Sequence, residues 1–289
     1  MKKTLLSLLL LTSLNYALPV YAKVMHFATD DMTVVDKDAV ALSKRYTGEK
    51  VLLAYDIDNT LLAPIDNGSP AKNTDLMTTQ WWDWQANLIA THSTSASRVA
   101  TTFEQLIAIN DTVLPLMNLV KIDAHLDQTL HNEQQILHNK VIAISSRDVM
   151  LYSASIHQLA AVNIDFSHSA LGDASGIAGY ITPPPFTRPI EYNRGVVVVS
   201  GQDKGETLKF LLHYYPAQPI KAIIFIDDTQ ANIDKVSAAF KDSALDVHVY
   251  LYTKEKARVD AFNADNKEHV SAQWREINAA LKESFGLSI

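Results

Sequence analysis

Short apolar runs alternate with segments of helical periodicity along most of this chain. The clearest runs are Val51–Tyr55, Val141–Ile144, Val196–Val199 and Ile223–Ile226. Each run is too short for a typical helix and is bounded by polar residues, which is typical of strands buried on both faces. Strands that alternate with helices predict an α/β fold with a parallel sheet and right-handed crossovers.

The segments between these runs carry apolar residues at helical spacing. The predicted helices cover residues 33–46, 76–90, 100–110, 123–139, 148–161, 204–213, 232–241 and 272–285. Thr33 and Asp75 are candidate caps for the first two. Residues 247–252 predict a further strand. Residues 162–202 are rich in glycine and proline, so we expect short strands and turns there, with an extended loop at Pro183–Pro185.

The stretch after the first apolar run differs from the rest, because it is helix-like throughout and contains no convincing strand. We therefore interpret residues 63–138 as an inserted helical cap subdomain. The α/β core is then formed by residues 23–62 and 139–289.

The first residues resemble a targeting signal. Lys2 and Lys3 precede a short apolar stretch from Leu5 to Leu14, and a small-residue cleavage site ends at Ala22. This pattern predicts a signal peptide over residues 1–22, with an uncleaved N-terminal anchor as the alternative. No other segment approaches transmembrane length. We therefore expect a soluble, exported protein, either periplasmic or secreted, without stable membrane insertion after cleavage.

Charge and composition exclude several classes of function. The net charge is −7 and there is no basic run, which argues against a nucleic-acid-binding protein. Residues 1–22 hold two lysines and no acid, so the mature chain would carry −9. The absence of cysteine excludes thiol catalysis, disulfides and Cys-based metal sites. The ten histidines show no metal-ligand spacing.

The first apolar run ends in two aspartates one residue apart, Asp56 and Asp58. A buried carboxylate is costly unless it is paired or binds a cation. At a strand end, such a residue can act as a nucleophile, as a proton donor or as a ligand of a hard cation. This spacing therefore predicts a site where charge is used.

Two other apolar runs also end in polar groups. Ser145 and Ser146 follow one run, and Asp227 and Asp228 follow another, while Lys204 opens a predicted helix. Ligands in an open parallel sheet bind beyond the carboxyl ends of the strands. These groups converge if the three strands are neighbours, and Lys204 then offsets part of the negative charge.

With these four motifs in this order, the chain resembles the haloacid dehalogenase (HAD) superfamily of phosphotransferases. The motifs are Asp56-Ile57-Asp58-Asn59-Thr60, Ser145, Lys204 and Asp227-Asp228. The resemblance implies a Rossmann-like parallel sheet flanked by helices, with the helical block where such proteins insert a cap. The tryptophans after the first motif give a weaker similarity to exported acid phosphatases and to uncharacterised secreted bacterial members.

The resemblance also implies a role for each residue. Asp56 would attack phosphorus, and Asp58 would act as general acid and then as general base. Ser145 and Lys204 would bind the phosphoryl oxygens. The metal ligands for Mg²⁺ would be Asp56, the Asp58 backbone carbonyl, Asp227 and, directly or through water, Asp228. Strand alternation allows one of Ser145 and Ser146 to face the site, and the choice of Ser145 stays open.

Several residues near these motifs have simpler interpretations. Trp81, Trp82 and Trp84 are expected to form the cap core, although one of them could stack on a substrate ring. Arg147 is expected to brace its loop or to pair with an acid rather than to bind phosphate. His125, His131 and His138 are expected at the surface.

The combined reading is an exported, Mg²⁺-dependent phosphomonoester hydrolase that acts on a small phosphorylated substrate through an aspartyl-phosphate intermediate. The alternative is a catalytically vestigial protein on the same fold, which binds a phospho-ligand or interacts with a host. A structural envelope protein has little support, because repeats and an anchor are missing.

Overall fold

The computed structural model describes residues 24–64, 74–173 and 175–286. It is an α/β protein with a mostly parallel, Rossmann-like central sheet flanked by helices, which confirms the predicted fold class. The predicted signal peptide and residues 65–73 of the predicted cap lie outside the described residues. No helix in the described ranges has the length and apolar character needed to cross a membrane.

Seven strands form the central sheet, and two short strands form a separate pair. The strands are β1 Val24–Thr29, β2 Val51–Tyr55, β3 Leu62–Pro64, β4 Leu119–Lys121, β5 Lys140–Ser145, β6 Glu191–Asn193, β7 Val196–Val198, β8 Ala222–Asp227 and β9 Asp246–Tyr252. The order in the main sheet is β1-β9-β8-β2-β5-β7-β6, and only β6 runs antiparallel to its neighbour. β2 therefore lies between β8 and β5, and all its residues are buried.

Helices cover both faces of this sheet. They are α1 Met32–Tyr46, α2 Thr79–Ala90, α3 Phe103–Val113, α4 Leu126–His131, α5 Tyr152–Ala161, α6 Lys204–Tyr214, α7 Gln230–Phe240, α8 Lys256–Ala264 and α9 Glu268–Phe285. A π-helical turn, Asn132–Ile136, extends α4. Pro184–Pro185 is a cis peptide bond.

Both predicted N-caps are wrong. The side chain of Asp31 caps α1 by accepting from the Thr33 backbone N–H at 2.9 Å, so Thr33 is the capped residue. The Thr78 side chain caps α2, three residues beyond Asp75. Both observed caps are common N-cap residue types in extended backbone conformation, which the sequence alone does not reveal.

The expectation of no strand between the first two motifs is also wrong. β3 and β4 pair antiparallel, with Leu62 opposite Lys121 and Pro64 opposite Leu119. Strands of three residues are too short to produce a recognisable alternation of apolar and polar side chains.

Apolar side chains form three clusters. Two lie on opposite faces of the main sheet. The third joins α2 and α3 to the C-terminal helices through Trp81, Leu106, Phe262 and Trp274. The helical layer therefore draws on residues outside 63–138. Conversely, α4 packs its Leu126 and Leu130 into the sheet cluster. The division into an α/β core and an inserted cap stays a prediction.

Candidate active site

The topology brings together the polar groups that were predicted to follow the strands. They lie at the end of the sheet formed by the carboxyl ends of its parallel strands. Asp56 directly follows β2, Ser145 ends β5 and Asp227 ends β8. Lys204 begins α6, which follows β7. From β2 the chain continues to β5 and β7 on one side of β2 and then crosses to β8 and β9 on the other side. The strand order therefore reverses between β2 and β8, and open α/β sheets bind their ligands at such a topological switch point.

Lys204 joins two of the aspartates. Its ammonium group lies 2.5 Å from Asp56 Oδ1 and 2.7 Å from Asp227 Oδ2, and all three side chains are buried. Burial lowers the pKa of Lys204, but Asp227 and Asp56 more than offset this and raise the pKa overall. The lysine therefore stays charged, as the sequence predicted for a residue that offsets the negative charge of the crevice.

Local sequence explains how Lys204 reaches this position. Asp203 caps α6 by accepting from the backbone N–H groups of Gly205 and Glu206. A Cβ atom on Gly205 would lie 2.7 Å from the Cβ of Ala239 in α7. Glycine therefore allows α6 to approach α7 closely, which places the first residue of α6 over the carboxylates.

Asp227 and Asp228 are held by the start of α7. Asp227 accepts from the Thr229 backbone N–H at 2.9 Å and from the Asn232 side-chain amide at 3.1 Å. The hydroxyl of Thr229 donates to Asp228 at 3.1 Å. These donors fix the orientation of both carboxylates toward the crevice.

The three carboxylates Asp56, Asp227 and Asp228 can serve one cation. An oxygen from each lies within 4.8 Å of the others. Burial raises the pKa of Asp56 well above its ordinary value, and Asp227 and Asp228 add to the rise despite Lys204. Burial and the nearby Asp227 likewise raise the pKa of Asp228 to about 7. One ammonium group therefore does not balance these charges, and an all-oxygen donor set suits Mg²⁺.

Asp58 occupies a different environment, because it is paired with Arg147. The guanidinium donates to both carboxylate oxygens, at 2.9 Å and 2.8 Å. Its third nitrogen donates to Ser155 and to Gln158, and Gln158 donates in turn to the Leu114 carbonyl after α3. Arg147 thus pairs with an acid, as predicted, and it connects the position of Asp58 to the helical layer.

The two adjacent serines differ in exposure. Ser145 is buried, and its hydroxyl oxygen accepts from the Arg147 backbone N–H at 3.2 Å. Ser146 is exposed and borders a cavity next to Asp58. The assignment of phosphate binding to Ser145 stays a prediction.

Asn59 links the first motif to the helical layer. Its φ of 59° is left-handed, a conformation that asparagine accepts more readily than most residues. The side-chain NH₂ group of Asn59 donates to Gln80 of α2 at 3.2 Å, and its side-chain carbonyl oxygen accepts from the Arg258 guanidinium of α8 at 2.6 Å. Arg258 also pairs with Asp75 at 2.7 Å. No local sequence signal identifies Arg258, because the apolar residues of α8 show only a weak helical periodicity.

The cavity beside Asp58 has a volume of about 190 Å³. It lies between the strand-end loops and helices α2 and α3. Its lining includes Trp82, Ile107, Asp111, Leu114, Ser146 and Arg147. Asp58 is 26% exposed, whereas Asp56 is 8% exposed, so Asp58 is the more accessible carboxylate. Because Asp56 and Asp58 are two residues apart in the chain, their Cα atoms are at most about 7 Å from each other.

The tryptophans divide between packing and this cavity. Trp81 is fully buried and its ring lies 6.2 Å from that of Trp274, while Trp84 lies 6.1 Å from Phe262. These two form part of the helical core, as expected, and Trp82 borders the cavity. The three histidines expected at the surface are exposed: His125, His131 and His138.

Fold and site together define an α/β protein with a Rossmann-like sheet and a buried acidic crevice at the carboxyl ends of its strands. The chain belongs to the family of proteins of unknown function DUF2608, whose profile matches residues 33–285. That range includes every residue of the crevice. No curated protein and no solved structure matches the chain significantly.

Proposed function

We propose that this protein is a Mg²⁺-dependent phosphomonoester hydrolase that acts outside the cytoplasm through an aspartyl-phosphate intermediate. The observation that carries the proposal is the buried group formed by Lys204, Asp56 and Asp227, with Asp228 close by. It lies at the switch point of the sheet, and the more exposed Asp58 follows Asp56 by two residues. The resemblance of the four motifs to the HAD superfamily supports the same assignment.

In the first step, a carboxylate oxygen of Asp56 attacks phosphorus and the bond from phosphorus to the ester oxygen breaks. Asp58, in its protonated form, gives its proton to the leaving oxygen, and the free alcohol departs. In the second step, water attacks phosphorus and transfers a proton to Asp58. The bond from phosphorus to Asp56 breaks, which releases phosphate and restores both side chains.

The remaining residues position these reactants. Lys204 is placed to bind a phosphoryl oxygen while it holds Asp56 and Asp227 in place. Arg147 is a positioning residue, because its two hydrogen bonds fix the Asp58 carboxylate. The expected roles of Ser145 in phosphate binding and of the Asp58 backbone carbonyl as a metal ligand complete the proposal.

The residues fit a hard divalent cation. Asp56, Asp227 and Asp228 offer oxygen ligands, and the raised pKa values of Asp56 and Asp228 reflect the burial and crowding of their charges. When bound there, Mg²⁺ supplies charge neutralisation for the phosphoryl oxygens and the attacking carboxylate.

Hydrolysis of p-nitrophenyl phosphate by the mature protein tests the proposal. We expect turnover with Mg²⁺, its suppression by EDTA and its restoration by added Mg²⁺. Asp56→Asn should reduce kcat by about 10³-fold or more, because the amide is not a competent nucleophile. The matched control is Asp31→Asn, which removes a carboxylate outside the crevice, the cap of α1, and should leave kcat unchanged. Unchanged turnover in Asp56→Asn would remove the mechanism.

A further inference from the structure

We infer that Arg188 binds a second anionic group, a carboxylate or a similar oxyanion, on the alcohol portion of the phosphomonoester substrate. This inference rests on the proposed function and names its substrate class. Arg188 lies in the loop that precedes β6, and its side chain borders the cavity beside Asp58.

The guanidinium of Arg188 is a cation that the described part of the chain leaves without a partner. Arg147 also borders the cavity, but each of its guanidinium nitrogens donates to a side chain. Arg188 forms hydrogen bonds with the described residues only through its backbone, and its side chain is exposed. A planar fork of N–H donors suits a carboxylate or a phosphate, which it can bind through two parallel hydrogen bonds.

The backbone around Arg188 is held in place by the side chain of Gln202. The Gln202 carbonyl oxygen accepts from the backbone N–H groups of Thr187 at 2.8 Å and of Arg188 at 2.9 Å. Its NH₂ group donates to the Arg188 carbonyl at 2.7 Å. Two backbone hydrogen bonds between Ile181 and Ile190 close the loop at its base. The loop therefore presents the guanidinium from a braced backbone, which reduces the entropy lost when a ligand binds.

Gly201 allows the side chain of Arg188 to lie against the loop that follows β7. A Cβ atom on Gly201 would lie 3.2 Å from Nη2 of Arg188 and 3.5 Å from Nη1. The backbone N–H of Gly201 donates to the carbonyl of Ser146, the residue after β5, at 2.8 Å. The same loop leads into α6 and thus to Lys204. Arg188 is therefore placed beside the crevice by the segment that also carries the lysine of the crevice.

The cavity lies on the side of the crevice where the leaving group of the proposed reaction would be. Asp58, the proposed acid for the leaving oxygen, borders the cavity. The buried residues proposed to surround the reacting phosphoryl group do not border it: Asp56, Lys204 and Asp227. A substrate with its phosphoryl group in the crevice and its ester oxygen at Asp58 therefore extends its alcohol portion toward Arg188.

Two acids border the same cavity, and neither neutralises Arg188. Burial and the nearby Asp148 raise the pKa of Asp111 to about 6, so these two acids lie near each other. Asp148 accepts from the Met150 backbone N–H at 3.0 Å. Since like charges placed next to each other are unfavourable, an anion on the substrate is favoured beside Arg188 and disfavoured beside these acids.

Steady-state kinetics with matched acids and amides tests the inference. The acids are phosphoglycolate, 3-(phosphonooxy)propanoate and 4-(phosphonooxy)butanoate, and each is compared with its primary amide, which has a similar shape without the second charge. For at least one chain length, kcat/KM of the acid should exceed that of the amide by about tenfold, the effect of hydrogen bonds to a charged group. Arg188→Gln should bring this ratio close to one, and Arg188→Lys should retain part of it.

Arg194→Gln is the matched control, because Arg194 is also exposed but borders a different cavity. It should leave the ratio unchanged. Equal kcat/KM for acid and amide at every chain length would overturn the inference. An equal fall for acids and amides in Arg188→Gln would overturn it as well, because Arg188 would then contact the reacting phosphoryl group. In both cases hydrolysis itself upholds the proposed function.

If neither these compounds nor p-nitrophenyl phosphate are hydrolysed, the proposed function fails, and binding then decides on Arg188 alone. The probes are phosphonoacetate, 3-phosphonopropionate and 4-phosphonobutyrate with their primary amides, titrated by calorimetry in the presence of Mg²⁺. Tighter binding of an acid than of its amide by about tenfold, lost in Arg188→Gln, supports the assignment. No binding, equal binding of acid and amide, or a difference that Arg188→Gln retains contradicts it.

Discussion

Two acidic clusters in the described part of the chain look equivalent when only their ligand atoms are counted. Each brings three potential cation ligands within 4.8 Å of one another. The crevice cluster consists of Asp56, Asp227 and Asp228, and the second cluster consists of Asp31, Asp123 and His125. Their titration behaviour is opposite, because the pKa values of Asp56 and Asp228 are raised and those of Asp31 and Asp123 are lowered.

The difference is the supply of hydrogen-bond donors. Asp123 is buried, which raises its pKa, but it accepts from the backbone N–H groups of His125 and Met32 and from the Tyr252 hydroxyl. These bonds more than offset burial and lower its pKa overall. In the crevice cluster, Asp227 accepts from Thr229 and Asn232 as well as from Lys204, whereas the Asp56 side chain shares the Lys204 ammonium and has no other donor among the residues that the structure describes. A cation site is therefore indicated by carboxylates whose charge the protein leaves unbalanced, and not by carboxylates alone.

Removing the shared cation should produce the largest effect on stability. Lys204→Met leaves the buried carboxylates of Asp56 and Asp227 without their common partner, which should cost about 3–5 kcal/mol in the free energy of unfolding. Urea unfolding in the presence of EDTA measures this cost. Lys209→Met is the control, because that lysine forms an exposed ion pair with Glu206. A loss as small as that of the control would contradict the view that Lys204 holds the crevice together.

Added Mg²⁺ should stabilise the protein through the crevice cluster only. At about one hundred times its Kd, a ligand adds about 2.7 kcal/mol, which should raise Tm by about 5–10 °C. Asp228→Asn should remove most of this increase, because it deletes one oxygen anion from the ligand set.

The same thermal titration distinguishes the two clusters. Asp123→Asn should retain the full increase in Tm with Mg²⁺, since its carboxylate is already satisfied by protein donors. The opposite pattern, with the response lost in Asp123→Asn and kept in Asp228→Asn, would reverse the assignment of the cation site.

Asp123→Asn should instead change stability in a pH-dependent way. The folded-state pKa of Asp123 is lowered, so the carboxylate contributes stability above its unfolded pKa of about 3.8. That contribution is lost as the pH falls through the folded-state pKa. The variant should therefore be less stable than the parent by about 1–3 kcal/mol at pH 7. The difference should shrink below about pH 4. An equal difference at pH 7 and at pH 3 would show that the ionised form is not what the donors stabilise.

The smallest expected effect concerns Arg147, the donor that Asp58 has and Asp56 lacks. Arg147→Lys keeps the charge but cannot bind both oxygens of Asp58 in a fork, so kcat should fall by about tenfold with little change in KM. A change in KM alone would indicate a role in substrate binding.

The sequence predicted the parts of this site that depend on local pattern. Apolar runs ending in Asp56, Ser145 and Asp227 are visible in a few residues, and the alternation of strands with helices gives their parallel order. The start of α6 at Lys204 was also predicted, and the structure shows that Asp203 caps this helix.

The parts that were missed depend on contacts between distant segments. Arg258 binds Asn59 across 199 residues, and the Tyr252 hydroxyl binds Asp123 across 129 residues. β1 was not predicted because it is an edge strand with exposed positions at His26 and Phe27, so its apolar pattern is weak. The donor supply that separates the two acidic clusters could therefore not be inferred before the fold was known.

Detection of phosphoprotein with ³²P-labelled p-nitrophenyl phosphate tests the central claim most directly. Rapid acid quenching of the parent protein with Mg²⁺ should trap label on the peptide that contains Asp56, and EDTA should prevent labelling. Asp58→Asn should accumulate more label, because the second step lacks its base, and Asp56→Asn should carry none. Label on another residue, or hydrolysis that persists in Asp56→Asn, would contradict the claim that Asp56 is the nucleophile of this crevice.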